Sequence, residues 1–514
     1  MKKMWAIPVL AAVMAIGATG CKSNESGSID QKGANVFPVS TIDDGISVAM
    51  GDVMPFYDNG VMNIYHLQDS GSSPFYHPIS RLTTKDFIHY KDEGIAINYA
   101  EGTDAIKSND AALGTGSFIK DKNGKYHCFY TGHAASAEDV APDPLEVVRH
   151  ATSADQKTWV KEESFKLKGN SAADYLNNDF RDPYVYYDGV DGCYYMLVTA
   201  RDKIDGIETG VIKYYSSSTL DADADGWKYE GIFYNNPDGT YNMECPSIVE
   251  LKGYYYLAFS EQGENRVTHY VYKTSHDDTE WKKFERDSID AGGFYAGRLE
   301  KAGDTLYAFA WCARLSGGVS GGFDWGGSLV THQLVQNKNG ELCAVMPQNY
   351  KDFFSHEVTY NTVDGEKVTG FEFNGEKFSA YGADELSTNV TRISLTVEAK
   401  DDKGDFGLSF GLDGSYNNRL GSAIIAFEPG KGRITCYNGV SSILRYGAPL
   451  TSVAFDFEKD KSYKADIIID GEILTVYLNS EVALTARITD MKKSNIAFYS
   501  NGAKAKIQDV KFYE

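Results

Sequence analysis

The sequence predicts an all-β protein, a five-bladed β-propeller followed by a C-terminal β-sandwich. Five stretches share one design: an apolar run, a Gly-containing turn, then a strongly aromatic or aliphatic run. They cover residues 48–69, 113–133, 180–201, 243–261 and 294–314. Their turns recur roughly every fifty to seventy residues, a spacing that signals propeller blades or solenoid units, and each unit reads as paired strands rather than paired helices. Composition agrees: 35 Tyr, 26 Phe and 50 Gly among 514 residues suit many short strands joined by tight turns. From about Lys351 the repeat stops. Strands with clean two-residue alternation follow, such as 392–398 and 464–469, with turns at Pro429-Gly430, Asp470-Gly471 and Asn501-Gly502. That is the pattern of a sandwich.

Residues 1–21 read as a targeting segment. Lys2 and Lys3 precede an apolar run over 5–17 that is too short to span a membrane. The stretch Ala18-Thr19-Gly20-Cys21 resembles a bacterial lipoprotein signal, in which Cys21 becomes the lipidated first residue. The alternative is an ordinary secretory signal with a chance cysteine. Residues 22–36 read as a flexible tether, polar and Ser-rich at first and without periodicity. The expected propeller then covers 37–350 and the sandwich 351–514.

Within the propeller a second pattern recurs at 77–90, 150–159, 214–229 and 272–281. A strand ending in Ser leads through a short acidic turn to an aromatic-bearing edge strand, completing four strands per blade. A Gly-rich run over 316–327 holds Phe323, Asp324 and Trp325. So long a loop near a channel mouth is often functional, and the face of Trp325 suits the C–H surface of a sugar ring. The alternative is a loose connection. Six cysteines beyond Cys21 are scattered with no Cys-x-x-Cys pair, so no metal site is expected and no disulfide is indicated. A net charge of −22 argues against nucleic acid or anionic membrane as partner.

Lining up the five units on their turns places Asp52, Asp182 and Glu244 at matching positions in units one, three and four, with Ser117 and Ala296 in units two and five. Equivalent strands of a propeller surround one channel, so these carboxylates are expected to meet at one mouth. Carboxylates facing each other across a sugar-sized cleft are the equipment of glycoside hydrolysis: one stays protonated to donate to the leaving oxygen, the other is ionised. Crowding raises at least one pKa, which favours that division. Arg181, beside Asp182, is placed to hold one carboxylate ionised. Taken singly, Asp52 reads as a turn residue, Asp182 as a strand-entry cap and Glu244 as an exposed strand start. Equivalent placement in three units is what joins them.

These residues resemble a known family. Phe180-Arg181-Asp182-Pro183 and Met243-Glu244-Cys245-Pro246 are similar to the RDP and EC motifs of glycoside hydrolase family 32, the invertases, inulinases and levanases. In the family's order, 114–118, His77-Pro78-Ile79-Ser80, Phe294-Tyr295-Ala296 and Trp325-Gly326-Gly327 resemble further family stretches. The likeness runs from about Val48 to Pro347. It implies a five-bladed propeller with a sandwich, retaining hydrolysis of β-fructofuranosidic linkages, and neither metal nor cofactor. It implies Asp52 as nucleophile, Glu244 as general acid/base and Asp182 as transition-state stabiliser, with Arg181, Gln68, Ser117, Trp325 and Tyr295 as substrate contacts. The substrate implied is a fructose-containing oligo- or polysaccharide. With the lipid anchor, this places the protein on the cell envelope of a bacterium, facing the periplasm or the cell surface. One departure stands out: the family's Trp-Met-Asn-Asp-Pro-Asn-Gly block is here Ala49-Met50-Gly51-Asp52-Val53-Met54-Pro55, so both ring-holding Asn residues and the Trp are gone. Two alternatives stay open, an inverting five-bladed hydrolase of arabinosyl or xylosyl linkages and a non-catalytic surface glycan-binding protein.

Overall fold

The structure, a computed structural model, describes residues 34–42, 46–69, 77–101, 108–134, 144–169, 179–263, 266–315, 323–386, 388, 390–412, 421, 423–439, 446–488 and 495–514. Cys21, its signal segment and most of the expected tether lie outside these residues. The tether ends earlier than expected. Ala34 bridges His89, the Val36 amide donates to Asp470 Oδ2 at 3.0 Å, and the Val36 and Phe37 side chains are buried. An apolar Val-Phe pair is drawn into the body even where its flanks are polar.

Five antiparallel blades follow in chain order. The first comprises Ile46–Asp58, Val61–Asp69, Ile79–Thr84 and Tyr90–Ile97, and the second Ala112–Lys120, Tyr126–His133, Glu146–Ser153 and Trp159–Lys161. The third is Arg181–Asp188, Cys193–Ile204, Ile207–Ser217 and Lys228–Asn235. The fourth holds Asn242–Leu251, Tyr254–Gln262 and Thr268–Lys273, and the fifth Tyr295–Ala302, Thr305–Leu315, Phe323–Gln336 and Leu342–Val345. The first strands of the five blades lie each against the next in a closed ring, and a bridge from Gly327 to Met50 ties blade five to blade one.

The expected acidic turns are present, and one expected edge strand needs correction. In blade one the acidic stretch after Thr84 is a turn, and the edge strand begins only at Tyr90. Asp86 Oδ1 accepts from the amides of Ile88 and His89, with Phe87 at φ 61° between them. Blade two repeats the turn, Asp155 accepting from Lys157 and Thr158 around Gln156 at φ 62°. The recurring acid is thus a turn builder. Blade four has three strands among the described residues, because Glu280 and Trp281 form no strand and only isolated bridges, Tyr272 to Lys282 and His269 to Ser288, run along its edge.

The innermost strands share a kink. In blades one, three, four and five two residues oppose one across a bulge, with breaks between Gly51 and Met54, Arg181 and Tyr184, Glu244 and Ser247, and Tyr295 and Arg298. The first bulge residue is left-handed each time: Asp52 (φ 38°), Asp182 (59°), Cys245 (54°) and Ala296 (55°). Blade two makes the kink with the single extra residue Thr115. Pro183 and Pro246 occupy the second bulge position, where a strand tolerates a residue without an N–H.

Beyond a short helix at Gln348–Phe353, whose Tyr350 is buried in the propeller core, the chain enters the sandwich. One sheet runs Glu357–Val358, Lys504–Tyr513, Val390–Ala399, Ser462–Asp470, Ile473–Leu478, Val482–Arg487. The other runs Ser379–Glu385, Asn495–Asn501, Asp405–Leu412, Ala423–Glu428, Arg433–Gly439, Tyr446–Ala454. Phe406, Phe427, Ile467, Val476 and Phe498 fill the space between them. The two domains are joined by buried polar contacts. His332 bonds Asp290 at 2.8 Å and Tyr477 at 3.0 Å, Asp290 accepts from the Thr485 amide at 2.9 Å, and Arg487 reaches Ser328 at 2.9 Å.

Arg298, 1% exposed, crosses from blade five to donate to the carbonyls of Gly116 at 2.5 Å and Asp182 at 3.4 Å. It ties the kinks of blades two and three together from below. Arg298→Met removes both donors and leaves two buried carbonyls unpaired, an expected loss of about 3 kcal/mol. Urea unfolding followed by the propeller's tryptophan fluorescence reads it.

Candidate active site

The kink decides where the carboxylates point. Among the kinked residues, the left-handed Asp52 and Asp182 turn their side chains into the channel. Glu244 sits one residue ahead of the left-handed position in its blade, level with Arg181 and Tyr295. Two tiers result. In one, Thr115 Oγ1 donates to Asp52 Oδ2 at 2.8 Å, and Asp182 Oδ2 accepts the Cys245 amide at 2.9 Å. In the other, Glu244 Oε1 is gripped by Arg181 Nη2 at 3.0 Å, and Oε2 accepts a hydrogen bond from the Tyr295 hydroxyl. The matching positions in blades one and two are Gly51 and Gly114. Beside them lies a cavity of about 250 Å³ lined by Asp52, Asp182, Glu244, Arg181, Glu146 and Trp325 among others. The three carboxylates aligned from the sequence therefore do meet in one cavity.

Electrostatics divide them. Burial, then the charges of Asp182 and Glu244, push Asp52 up to about 7, against the pull of Thr115 O–H and Trp311 N–H. Trp311 Nε1 donates to Asp52 Oδ1 at 3.1 Å, so both oxygens of this carboxylate are held. Burial also raises Glu244, opposed chiefly by the Arg181 guanidinium. Glu146 is pushed up to about 7 by burial in the same way. Arg181 serves this whole group: Nη1 donates to Asp179 at 2.7 Å and Glu146 at 3.2 Å. It hydrogen-bonds Glu244 rather than its neighbour Asp182, so Glu244 is the one carboxylate that Arg181 was expected to hold.

Strand alternation at one position and the kink at another correct two expected contacts. Leu67 lines the cavity, so Gln68 faces away, donating to Ser40 Oγ and the Thr41 carbonyl at 2.9 Å each. Ser117 lies beyond the kink, buried, accepting from the Val185 amide at 2.9 Å; Thr115 holds the place aligned with Asp52. Tyr295 stands behind Glu244 rather than on the cavity wall. Alignment on turns slips by two residues here because blade two carries one extra residue where the others carry a longer kink. Glu146, Thr115 and Trp311 were not singled out by sequence. Glu146 left a faint signal, a carboxylate directly before the apolar pair Val147-Val148.

Trp325 is on the cavity wall, as expected. Its ring stacks on His77 with centroids 4.3 Å apart and planes 19° off parallel, and it leans on Trp311 at 6.0 Å. Its other neighbour is Gly51. A Cβ on Gly51 would stand 2.2 Å from the indole Cη2 and Cζ2, and Gly51 has no left-handed φ to require glycine. The side chain missing from position 51 is therefore replaced in space by the Trp325 ring. Met54 is no substitute either: it is buried, its sulfur accepting from the Gly116 amide at 3.0 Å.

A five-bladed propeller with a carboxylate cavity at its channel mouth, buttressed by a sandwich, defines a two-domain all-β protein. Residues 56–339 match the glycosyl hydrolases family 32 N-terminal domain and 360–514 the family 32 C-terminal domain, so the chain belongs to glycoside hydrolase family 32. Among curated relatives, it is 28% identical over 214 residues to the raffinose invertase of Escherichia coli, covering 41% of this chain and 40% of that protein. It is 25% identical over 412 residues to the levanbiose-producing levanase of Geobacillus stearothermophilus, covering 71% of this chain and 94% of that one. The chain thus spans about two fifths of the invertase, and less of the sucrose-6-phosphate hydrolase of Vibrio alginolyticus at 37%. Its fold is that of the sucrose-6-phosphate hydrolase of Lactobacillus gasseri, with TM-score 0.66, 18% identity and 91% of both chains covered. Fructan 1-exohydrolase IIa of Cichorium intybus gives TM-score 0.66 at 16% identity, over 94% of this chain and 96% of that one.

Gly51→Asn is expected to expel Trp325 from the wall and to impair saccharide binding, whereas Gly51→Asn in a Trp325→Ala background should cost little more than Trp325→Ala alone. A double-mutant cycle on binding affinity reads this coupling. A second expectation concerns pH. The Asp52 carboxyl ionises near 3.8 when free but near 7 in the fold. Its contribution to stability is therefore complete below about pH 4 and is lost as the pH rises through 7, by at most about 4 kcal/mol. Asp52→Asn cannot ionise, so its melting temperature should exceed the parent's near pH 8, with the gap closing towards pH 4.

Proposed function

We propose that this protein hydrolyses β-fructofuranosidic linkages in fructans or fructo-oligosaccharides with retention of configuration. The observation that carries the reading is the convergence of Asp52, Asp182 and Glu244 in one cavity of a family 32 chain. Asp52 acts as nucleophile, attacking the anomeric carbon as the glycosidic oxygen leaves with the proton of Glu244. Both Asp52 oxygens are oriented by donors, Trp311 N–H and Thr115 O–H, which favour its ionised form against the pull of burial. Glu244, raised by burial, suits proton donation; once deprotonated it takes the proton of the water that releases the sugar from Asp52. Asp182, fixed by the Cys245 amide, holds ring hydroxyls in the transition state. Trp325 supplies a flat apolar face and Arg181 sets the Glu244 carboxyl. The names of the relatives, a levanase, an invertase and a fructan exohydrolase, agree with a fructoside as substrate. With a lipidated Cys21 the enzyme works at the cell envelope, facing the periplasm or the cell surface, on saccharides outside the cytoplasm.

A second reading has one observation in its favour. Gly51 and Met54 present no amide to the sugar, which suits a surface glycan-binding protein without turnover.

Variants of the three carboxylates separate the readings. Asp52→Asn should abolish turnover on every fructoside, as no covalent intermediate forms. Glu244→Gln should lose most activity on ordinary glycosides yet keep it on a substrate whose leaving group needs no proton. Asp182→Asn should lower turnover without changing the anomer formed. Proton NMR of the first-released sugar, taken before mutarotation, reads the outcome: the inverted anomer removes the retaining mechanism. Binding of fructan without any turnover favours the second reading.

A further inference from the structure

The carboxylate site is not the most spacious cavity of the propeller. A cleft of about 650 Å³ lies between blades three and four, more than twice the volume of the catalytic cavity. It starts at Tyr186 and Asp188, four to six residues past Asp182 on the same strand, so about 13–20 Å further along the channel at the usual strand rise. It thus opens towards the opposite end of the propeller.

The missing fourth strand of blade four accounts for its existence. Blade three presents a full four-stranded face, and blade four covers only the part nearest the site. There Leu197, Ile212, Leu257 and Val271 pack as a core. Beyond them the face of blade three carries a ladder of rings, one from each strand. Tyr186 to Tyr195 and Tyr195 to Tyr214 are 5.8 Å apart, Tyr214 to Phe233 is 5.3 Å, and Trp281 of blade four closes the row at 5.6 Å. All five are half-buried, so each keeps part of its surface open to the cleft.

The rim is polar and acidic. Asp188, Asp191, Glu250, Asp277 and Asp278 line it against two lysines and a histidine. Lys273 Nζ is already committed, donating to the carbonyls of His276 at 2.6 Å and Asp278 at 3.1 Å, and His276 pairs with Asp188 at 3.1 Å. An anion finds an excess of like charge and few unengaged donors. A neutral polyol finds carboxylate acceptors for its hydroxyls and a row of tilted, partly open rings for its C–H groups. At the inner end Glu300 accepts the Tyr57 amide at 2.9 Å and is pushed up to about 8 by burial, so it stays uncharged at neutral pH and adds no further repulsion.

We infer that the cleft between blades three and four is a second saccharide-binding site, which holds a distant stretch of the polymer whose linkage is cleaved at the carboxylate cavity. The identity of the sugar as a fructan rests on the functional reading above. A polymer offers many repeats, so a second weak site on the far side of the propeller raises the local concentration of chain at the first. A short oligosaccharide cannot occupy both and gains nothing.

Ile232, 37% exposed on the cleft wall, permits a test that spares the core. Ile232→Arg lays a long charged side chain over the ladder, and Tyr187→Ala, at a residue 55% exposed, removes a ring from the rim. Retention in native gels containing levan or inulin is measured in an Asp52→Asn background, and hydrolysis of a fructosyl trisaccharide and of levan in the active protein. The expected result is a several-fold loss of retention and a several-fold rise in KM on levan, with kcat/KM on the trisaccharide unchanged. Unchanged retention in both cleft variants, with retention abolished by Trp325→Ala, overturns the second site, while hydrolysis of the trisaccharide would leave the functional reading standing. Cleft-dependent retention without hydrolysis of any fructoside does the reverse: it supports the site and removes the reaction.

Discussion

The left-handed kink in the innermost strands is the constraint on which the rest of the site depends. A residue bearing a Cβ pays roughly 1 kcal/mol or more for this conformation, and four blades adopt it at the same level. Circumferential hydrogen bonds over-determine it. Thr115 of blade two donates to Asp52 of blade one, and Thr131 of blade two accepts the Asp182 amide of blade three. Asp182 accepts the Cys245 amide of blade four, Ser260 of blade four accepts the Gly297 amide of blade five, and Trp311 of blade five returns to Asp52. Each kink is thus braced by a neighbouring blade, and the ring closes on the carboxylate with the most demanding proposed role. Strain, closure and orientation are one arrangement, so a fault in any blade is felt at Asp52.

Charge follows from the same geometry. Drawing Asp52, Asp182, Glu244 and Glu146 together away from water would be untenable if all stayed ionised beside a single guanidinium. Arg181 bonds directly to Glu244, Glu146 and Asp179, and the rest of the imbalance appears as raised pKa values at Asp52, Glu244 and Glu146. The site is built to hold a proton among its carboxylates, which acid/base chemistry on a glycosidic oxygen requires. The supporting domain acts at a distance. The Tyr477–His332 contact and Arg487 at Ser328 anchor blade five, which carries Trp311, Tyr295 and Trp325. The sandwich thereby steadies the wall of the cavity without lining it.

Sequence by itself determined the architecture and the identity of the three carboxylates. Repeated apolar runs with Gly-rich turns specify strands, because burial and backbone freedom act locally, and five such units must share one channel. The proline pairs Asp182-Pro183 and Cys245-Pro246 even marked two kinks, since a strand interior excludes proline unless its N–H is unneeded. What sequence could not determine was register. Gln68 was placed one residue out, which reverses the direction of a strand side chain, and Ser117 two residues out, past the kink that Thr115 occupies. Only the folded ring decides which residue of blade two meets Asp52, which acids share Arg181, that the Trp325 ring fills the space left by Gly51, and that a short blade four leaves a cleft beside blade three. Those are contacts between segments distant along the chain. They are fixed by packing and hydrogen bonding across blades, and no local pattern of residues records them.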